Sequence, residues 1–555
     1  MAIGTKTKVN GKTNGSKSSK KELKNPTLFS IEQCAEYRQE LLQSTKNINL
    51  ISELLQNFKL SEPLILRSKV SDNDLQKISA LSVTLAQVFL DFIKTGRLKV
   101  SKSAGDKQAM VAKWLKSKYS EMKTFMIHIL SLPEALDLNE DVKSFKIGVL
   151  EILMKLLKAE SDNMGSGEEP YFSTKTYGEI IYGVLLSGDI SQILSDGTID
   201  NYLLLEFMDS YFNRYWDLKY YFMSELKKQL EADIMQLDND SKKVVFSSFA
   251  TLVKMKNVIN DFEKTVKKTY TKNPPKVISQ QTVFKQNFEK NWITLLNFPL
   301  ELSQYKLVLL MADKRMIPFF NNPTKLMDFL TNSYDTGFSS SDITISILAL
   351  NGLFGLMRRF NLEYPDFFKK LYAILTPELL HLTVKSRFFR LLDVFMGSTH
   401  LSSSIVASFI KRLARIALTA PPSGVVIVIP FIYNLLKRHP TCMLLLHNTT
   451  EFESFEDPFD EEEEDPSNTN ALKSSIWELQ TMMNHYHPNV ASLAKILQQH
   501  FNKYSYNMED FLDWNYNKFI TTEFEKKAKG EVAVDYEKWD TVLGFESSYL
   551  PGFEF

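Results

Sequence analysis

The sequence predicts an all-α protein: an irregular HEAT- or armadillo-like helical-repeat array (an α-solenoid) preceded by a disordered basic N-terminal tail. Three observations carry this. Glycine and proline supply 20 and 19 of 555 residues, too few for the many tight turns of a barrel or sandwich. Apolar residues recur at helical spacing over most of the chain. In the second half, helix pairs open near residues 301, 342, 385 and 426, steps of 41 to 43 residues that match the ~40–47-residue period of such solenoids. A chain of this length exceeds a single hydrophobic core, so several helical units are expected.

Residues 1–28 carry Lys17, Lys20, Lys21 and Lys24 among other lysines, with Gly, Ser, Thr and Asn between them. Such a composition cannot bury enough apolar surface to order itself, and it reads as a nuclear-import tail. Gly11-Lys12-Thr13 resembles the end of a phosphate-binding loop. The glycine such a loop needs five residues earlier is Lys6, and no strand precedes it.

An N-terminal helical region follows over 29–270. Within it Leu81, Leu85, Val88 and Phe92 share one helix face, and Val149 to Leu157 forms another amphipathic stretch. The lysine-rich run 267–276, with Pro274-Pro275, marks the expected domain boundary. A C-terminal helical-repeat domain is expected over 284–526, with helices near Glu301–Ala312, from Thr324, over Asp342–Phe360, from Pro365, and over Lys385–Met396, Ser402–Leu418 and Val426–Arg438. An acidic loop spans 448–470: ten of the fifteen residues from Glu451 to Asp465 are Asp or Glu, and like charges that cannot pack predict an exposed segment. Helices resume at Ala471, after Pro488 and over Glu509–Lys526, before an extended aromatic tail at 527–555.

The two cysteines, Cys34 and Cys442, cannot form a disulfide framework and point to a reducing compartment. No apolar segment near the start resembles a secretory signal. The longest apolar run, Val425 to Leu436, is broken by Pro430 and falls short of the ~20 residues a membrane span requires.

Candidate chemistry is thin. His439, Cys442 and His447, with His485 and His487 beyond, suggest zinc, but a second paired short spacing with cysteine is missing. No elbow, kinase or dinucleotide motif accompanies Cys442 as a nucleophile. No catalytic residue, metal or other cofactor is therefore expected. Basic residues are more suggestive. On the helix Ser402–Leu418, Ile405, Phe409, Leu413 and Ile416 line the inner face, while Lys411, Arg412 and Arg415 project elsewhere. Arg358, Arg359, Lys385, Arg387, Arg390, Lys437 and Arg438 lie on neighbouring helices. Stacked, these could form a basic stripe for phosphates or an acidic partner. Lys+Arg and Asp+Glu each number 66, so neutrality is the sum of a basic tail, basic helix faces and one acidic loop.

Several strings form a recognisable set: Asn351 to Phe368, Arg387 to Asp393, Phe409 to Pro422, Asn434 to Cys442, Asp457-Pro-Phe-Asp460, Trp477-Glu-Leu-Gln480 and Asn484-His-Tyr-His-Pro488. Together, over about 301–505, they resemble the nucleolar complex protein four family, with its domain named after CCAAT-binding factor. The resemblance implies a non-catalytic nucleolar scaffold of the small-subunit processome. Such a protein would assist pre-ribosomal RNA processing and the assembly and export of small-subunit precursors. It would pair with a nucleolar protein fourteen-type partner and other processome proteins, and touch pre-ribosomal RNA indirectly or weakly. No membrane or small-molecule substrate is implied. On these strings Arg387, Lys411, Arg412 and Arg415 are the expected partner or RNA contacts, and Phe354, Phe388, Phe389 and Leu413 the expected core. The alternative is a helical transport or RNA-binding adaptor gripping nucleic acid through the basic stripe.

Overall fold

The computed structural model describes residues 28–43, 47–66, 71–98, 106–132, 140–165, 170–188, 201–233, 238–256, 266–339, 342–360, 366–398, 401–447 and 456–526. The tail lysines Lys17, Lys20, Lys21 and Lys24 and the aromatic segment 527–555 lie outside these residues. Among the described residues every regular element is helical. The chain divides into two compact units, Met1–Phe329 and Leu330–Phe555.

The first unit is built from α1 (Ile31–Gln43), α2 (Leu50–Lys59), α3 (Glu62–Ile65), α4 (Asp72–Lys94), α5 (Asp106–Ser131), α6 (Glu140–Asn163) and α7 (Thr174–Leu186). It continues with α8 (Tyr202–Phe207), α9 (Trp216–Asp233), α10 (Asn239–Lys254), α11 (Gln281–Leu296) and α12 (Leu302–Met311). Packing steps over every second helix: α4 on α6, α5 on α7, α7 on α9, and α9 on α11. That stepping is what a stack of helical hairpins produces, because each hairpin buries its apolar face only against its neighbours. Leu81, Leu85, Val88 and Phe92 are all buried on α4. Where α7 crosses α5, a Cβ on Gly183 would lie 2.9 Å from Ile127 Cγ2, so only glycine permits the approach.

The expected boundary at 267–276 falls inside this unit. Asp217 is fully buried at the start of α9, and its carboxylate accepts the backbone N–H groups of Tyr270 and Thr271 at 2.9–3.0 Å. Trp216 Nε1 donates to Ile278 O at 2.8 Å. The lysine-rich run is thus strapped to α9, and α11 beyond it packs on the same helix. Composition marked a loop correctly but not a division between cores.

Helix α13 (Met327–Ser339) carries the division. The second unit continues with α14 (Ile343–Phe360), α15 (Phe367–Ala373), α16 (Lys385–Phe395), α17 (Ser403–Ala417) and α18 (Pro422–Arg438). After a 3-10 turn at Pro440–Leu445 come the short helices α19 (Trp477–Thr481), α20 (Pro488–Ala494) and α21 (Glu509–Leu512), then α22 (Tyr516–Glu525). Helix α14 is long and apolar enough to cross a membrane by length and composition, but 56% of it is buried inside the protein. Helix α18 runs through Pro430, and Ser423 to Leu436 are buried without a break. That burial offsets the ~3 kcal/mol cost of an interior proline. Phe388, Phe389 and Leu413 are core residues; Phe354 is half-buried, edge-on to Phe395 at 4.8 Å. The helix expected over Glu509–Lys526 is two helices, broken at Asp513-Trp514-Asn515, where the Asn515 side chain caps α22 by accepting from Lys518 N.

Candidate functional site

The densest polar constellation in the second unit is centred on α17. This helix buries more than the expected stripe: Val406 to Lys411 form an unbroken buried run, and Leu413, Ala414, Ile416 and Ala417 follow. Lys411 is completely buried. Its ammonium lies 2.7 Å from Glu478 Oε1 and 2.9 Å from Asp457 Oδ2, and it donates to Ser475 O at 2.7 Å. One turn on, the Arg415 guanidinium lies 3.0 Å from Asp457 and 3.2 Å from Glu478, stacked on the Trp477 ring at 5.0 Å. Arg412 donates to Leu375 O at 3.0 Å and Glu461 O at 2.7 Å, and covers the Tyr372 ring at 5.1 Å. Burial pushes the Tyr372 phenol up to about 12.

The partners of these cations lie on the acidic segment and α19. Asp457 Oδ1 accepts from Ser474 Oγ at 2.5 Å and Phe459 N at 3.1 Å; Oδ2 accepts from Trp477 Nε1 at 3.0 Å. Burial alone would raise the Asp457 carboxyl. The hydrogen bonds from Ser474, Lys411, Trp477 and the Phe459 amide overcome that and hold it at about 2. Further along, Ser408 Oγ on α17 donates to Pro466 O at 2.6 Å, and Phe459, Pro466 and Thr469 are buried.

In the described part of the acidic segment Glu456, Asp457, Asp460, Glu461, Glu462 and Glu464 are exposed, but mutual repulsion does not keep the segment from packing. From Glu456 onward the described part is folded onto α17, because Asp457 meets two cations there. Of its exposed acids, Glu464 pairs with Lys369 at 3.2 Å. Residues 448–455 lie outside the described residues.

The four expected contact residues are not gathered on one open surface. Lys411 has no exposed surface, Arg415 is paired with Asp457 and Glu478, and Arg412 is engaged by the Leu375 and Glu461 carbonyls. A cation already paired and desolvated gains little from a new phosphate. Arg387 differs: it is exposed on α16, and no ion pair to it occurs among the described residues. The wider stripe is also neutralised in part. Arg390 makes a two-pronged pair with Glu509 at 2.8 and 2.7 Å. Arg438 pairs with Asp393 at 2.7 Å. Lys385 is buried, donates to Leu380 O and Ser423 Oγ, and is pushed down to about 8 by burial.

The His/Cys group does not converge. His439 Nε2 is 2.8 Å from Met396 O, and the buried Cys442 thiol faces Ser403 O and is pushed up to about 11 by burial. His447 is exposed. His485 Nδ1 accepts from His487 N, and His487 Nδ1 accepts from Asn489 N at the start of α20, so both rings lock the turn before Pro488. Among the described residues no group of His, Cys, Asp and Glu is arranged to hold a metal ion.

Sequence reasoning missed Asp457, Ser474, Trp477 and Glu478 as functional partners. The signal was present: Asp457-Pro-Phe-Asp460 and Trp477-Glu-Leu-Gln480 are two of the strings noted above, and each supplies an acid that folding brings to the Lys411 ammonium.

Comparison with known proteins covers both units. Residues 346–494 match the CBF/Mak21 family model, and residues 29–235 match the model for nucleolar complex protein 4-like TPR repeats. The second match gives the N-terminal region the family signature that no short string revealed, and it agrees with the hairpin stacking of α4 to α9. Nucleolar complex protein 4 of Saccharomyces cerevisiae is 40% identical over 91% of this chain and 96% of its own length. The homologue in Gallus gallus is 35% identical over 79% of this chain and 82% of its own. The homologue in Homo sapiens is 42% identical over 46% of this chain and 49% of its own. Relatives in yeast and vertebrates thus share a name that indicates a nucleolar location. With both family regions in order and near-full-length identity, the chain belongs to the nucleolar complex protein 4 family, a nucleolar family with a role in ribosome biogenesis.

Proposed function

We propose that this chain is a non-catalytic scaffold in small ribosomal subunit biogenesis. In this reading the second unit docks a nucleolar protein fourteen-type partner within the small-subunit processome, and contact with pre-ribosomal RNA is indirect or weak. The observation that carries it is the clamp on α17. The most basic family string is tied internally to the acidic segment, which favours a rigid protein-docking unit over an open phosphate-gripping stripe. Arg387, exposed and without an ion pair among the described residues, is the proposed contact of the original four. Lys411, Arg412 and Arg415 support that surface by fixing the loop. Lys17, Lys20, Lys21 and Lys24 are proposed to direct nuclear import.

Affinity purification of the full chain under ultraviolet crosslinking tests the reading. It expects a stoichiometric protein partner and few direct RNA crosslinks, with Arg387→Glu weakening the partner at least fivefold. Strong RNA crosslinks on α16 and α17 without a stable protein partner would establish the nucleic-acid adaptor instead.

A further inference from the structure

Away from the clamp, the second unit has an apolar groove that nothing in its described fold fills. Helix α22 contains Tyr516, Phe519, Ile520 and Phe524, spaced along one side, yet no residue of this helix is buried. Phe519 contacts His487 and Trp514 at ring distances of 5.4 and 4.7 Å, and Tyr516 Oη meets His381 Nδ1 at 2.8 Å, so one edge of the helix is attached. With Pro421 and Pro422 at the start of α18, and Tyr486, the helix also lines a space of about 580 Å³, to which Ile520 and Phe524 contribute. Phe524 is 86% exposed and Tyr486 79%. A ten-residue helix is marginal by itself and takes its stability from burying an apolar face, so this arrangement is incomplete.

We infer that the groove is the docking site for this chain's own C-terminal segment, residues 539–555, which folds back along α22. The chemistry and the tether both favour that occupant. Residues 527–555 contain Tyr536, Trp539, Phe545, Tyr549, Phe553 and Phe555, six aromatics in 29 residues against 12% for the whole chain. Pro551 and the glycines Gly544 and Gly552 suit an extended strand with bends rather than a helix. A wall of proline and aromatic rings receives such strands by stacking and apolar contact. The tether starts at the groove itself, because Lys526 directly follows the last residue of α22. The twelve residues before Trp539 reach about 40 Å when extended, whereas α22 is about 15 Å long. A return along the helix is within reach. A short tether of this kind raises the effective concentration to roughly the millimolar range, well above what a second copy supplies at working concentrations.

The test uses the full chain with a photoreactive benzoylphenylalanine in place of Tyr486. Crosslinks to peptides within 539–555 of the same chain are expected, with a yield unchanged on tenfold dilution. Trp539→Ala, Phe545→Ala and Phe553→Ala together should lower that yield at least fivefold and speed amide exchange in α22 by a similar factor. Circular dichroism of the triple variant, expected to match the parent, separates loss of docking from loss of fold. Dimer-sized crosslinks that grow with concentration would assign the groove to a second copy and overturn the inference. So would an absence of crosslinks to 539–555.

Discussion

Two buried carboxylates, one in each unit, face the same problem and solve it differently. Glu160 on α6 is 2% exposed and Glu478 on α19 is fully buried. Glu160 accepts from Tyr119 Oη at 2.5 Å, Ser173 Oγ at 2.6 Å, Thr176 Oγ1 at 2.7 Å and Lys123 Nζ at 2.8 Å. Burial pushes its carboxyl up, but the Lys123 charge and these hydrogen bonds outweigh it and leave it below the usual range. Glu478 has two cations beside its Oε1 and no hydroxyl donor. Its Oε2 has no hydrogen-bond partner, and Lys411 approaches Oε1 as a close ion pair. Burial therefore wins, and its carboxyl is raised. Cationic neighbours alone do not satisfy a buried carboxylate; directed donors do. The first site is a knot joining α5, α6 and α7. The second is a clamp whose charges hold a loop in place, with one acid left strained.

That contrast can be broken at both ends. Glu160→Ala should be the most damaging change, costing about 3–5 kcal/mol, because it strands Lys123 and three hydroxyls in a buried site. Native-state amide exchange in α5 to α7 reads it. Lys411→Met comes next, at about 3 kcal/mol, since it leaves Glu478 and Asp457 short of a buried counter-charge. Combining it with Glu478→Leu should recover half or more of that loss, because the stranded acid disappears with its partner. A double variant no better than Lys411→Met would show that the pair is not the clamp's weak member. Glu478→Gln, by contrast with any change at Glu160, should cost about 1 kcal/mol or less. On the surface, Glu509→Ala removes an exposed, solvent-screened pair with Arg390 and should leave the unfolding midpoint close to that of the parent.

The two acids also give opposite signs with pH. A carboxylate held low contributes stability fully above its unfolded value, and that contribution is lost as pH falls through the folded value. Glu160 behaves this way, and so does Asp457, which goes from an ordinary 3.8 to about 2. Glu478, held high, is a burden at neutral pH that protonation relieves as pH falls toward 4.5. Loop protection over 456–478 should therefore persist from pH 7 to about 4 and then collapse toward pH 2. Protection that rises as pH falls from 7 toward 4.5 would show that Glu478, not Asp457, governs the clamp.

How much of this was legible follows from which interactions are local. Helical spacing placed α14, α16 and α17 closely, because each buries a face whose period is visible in the chain. The boundary at 267–276 misled because Asp217, which straps that run to α9, lies some fifty residues before it. The clamp was hidden for the same reason: Lys411 and Asp457 look like members of opposite charged surfaces until folding superimposes them. The N-terminal repeats left no short string, since only packing positions repeat and many apolar residues satisfy them.

Hydrogen–deuterium exchange of residues 456–478 in the full chain, parent against Lys411→Met, tests the clamp most directly. Slow exchange in the parent and at least tenfold faster exchange in the variant are expected, with α5 to α7 unchanged. A loop that exchanges freely in the parent, or is equally protected in both, would contradict it.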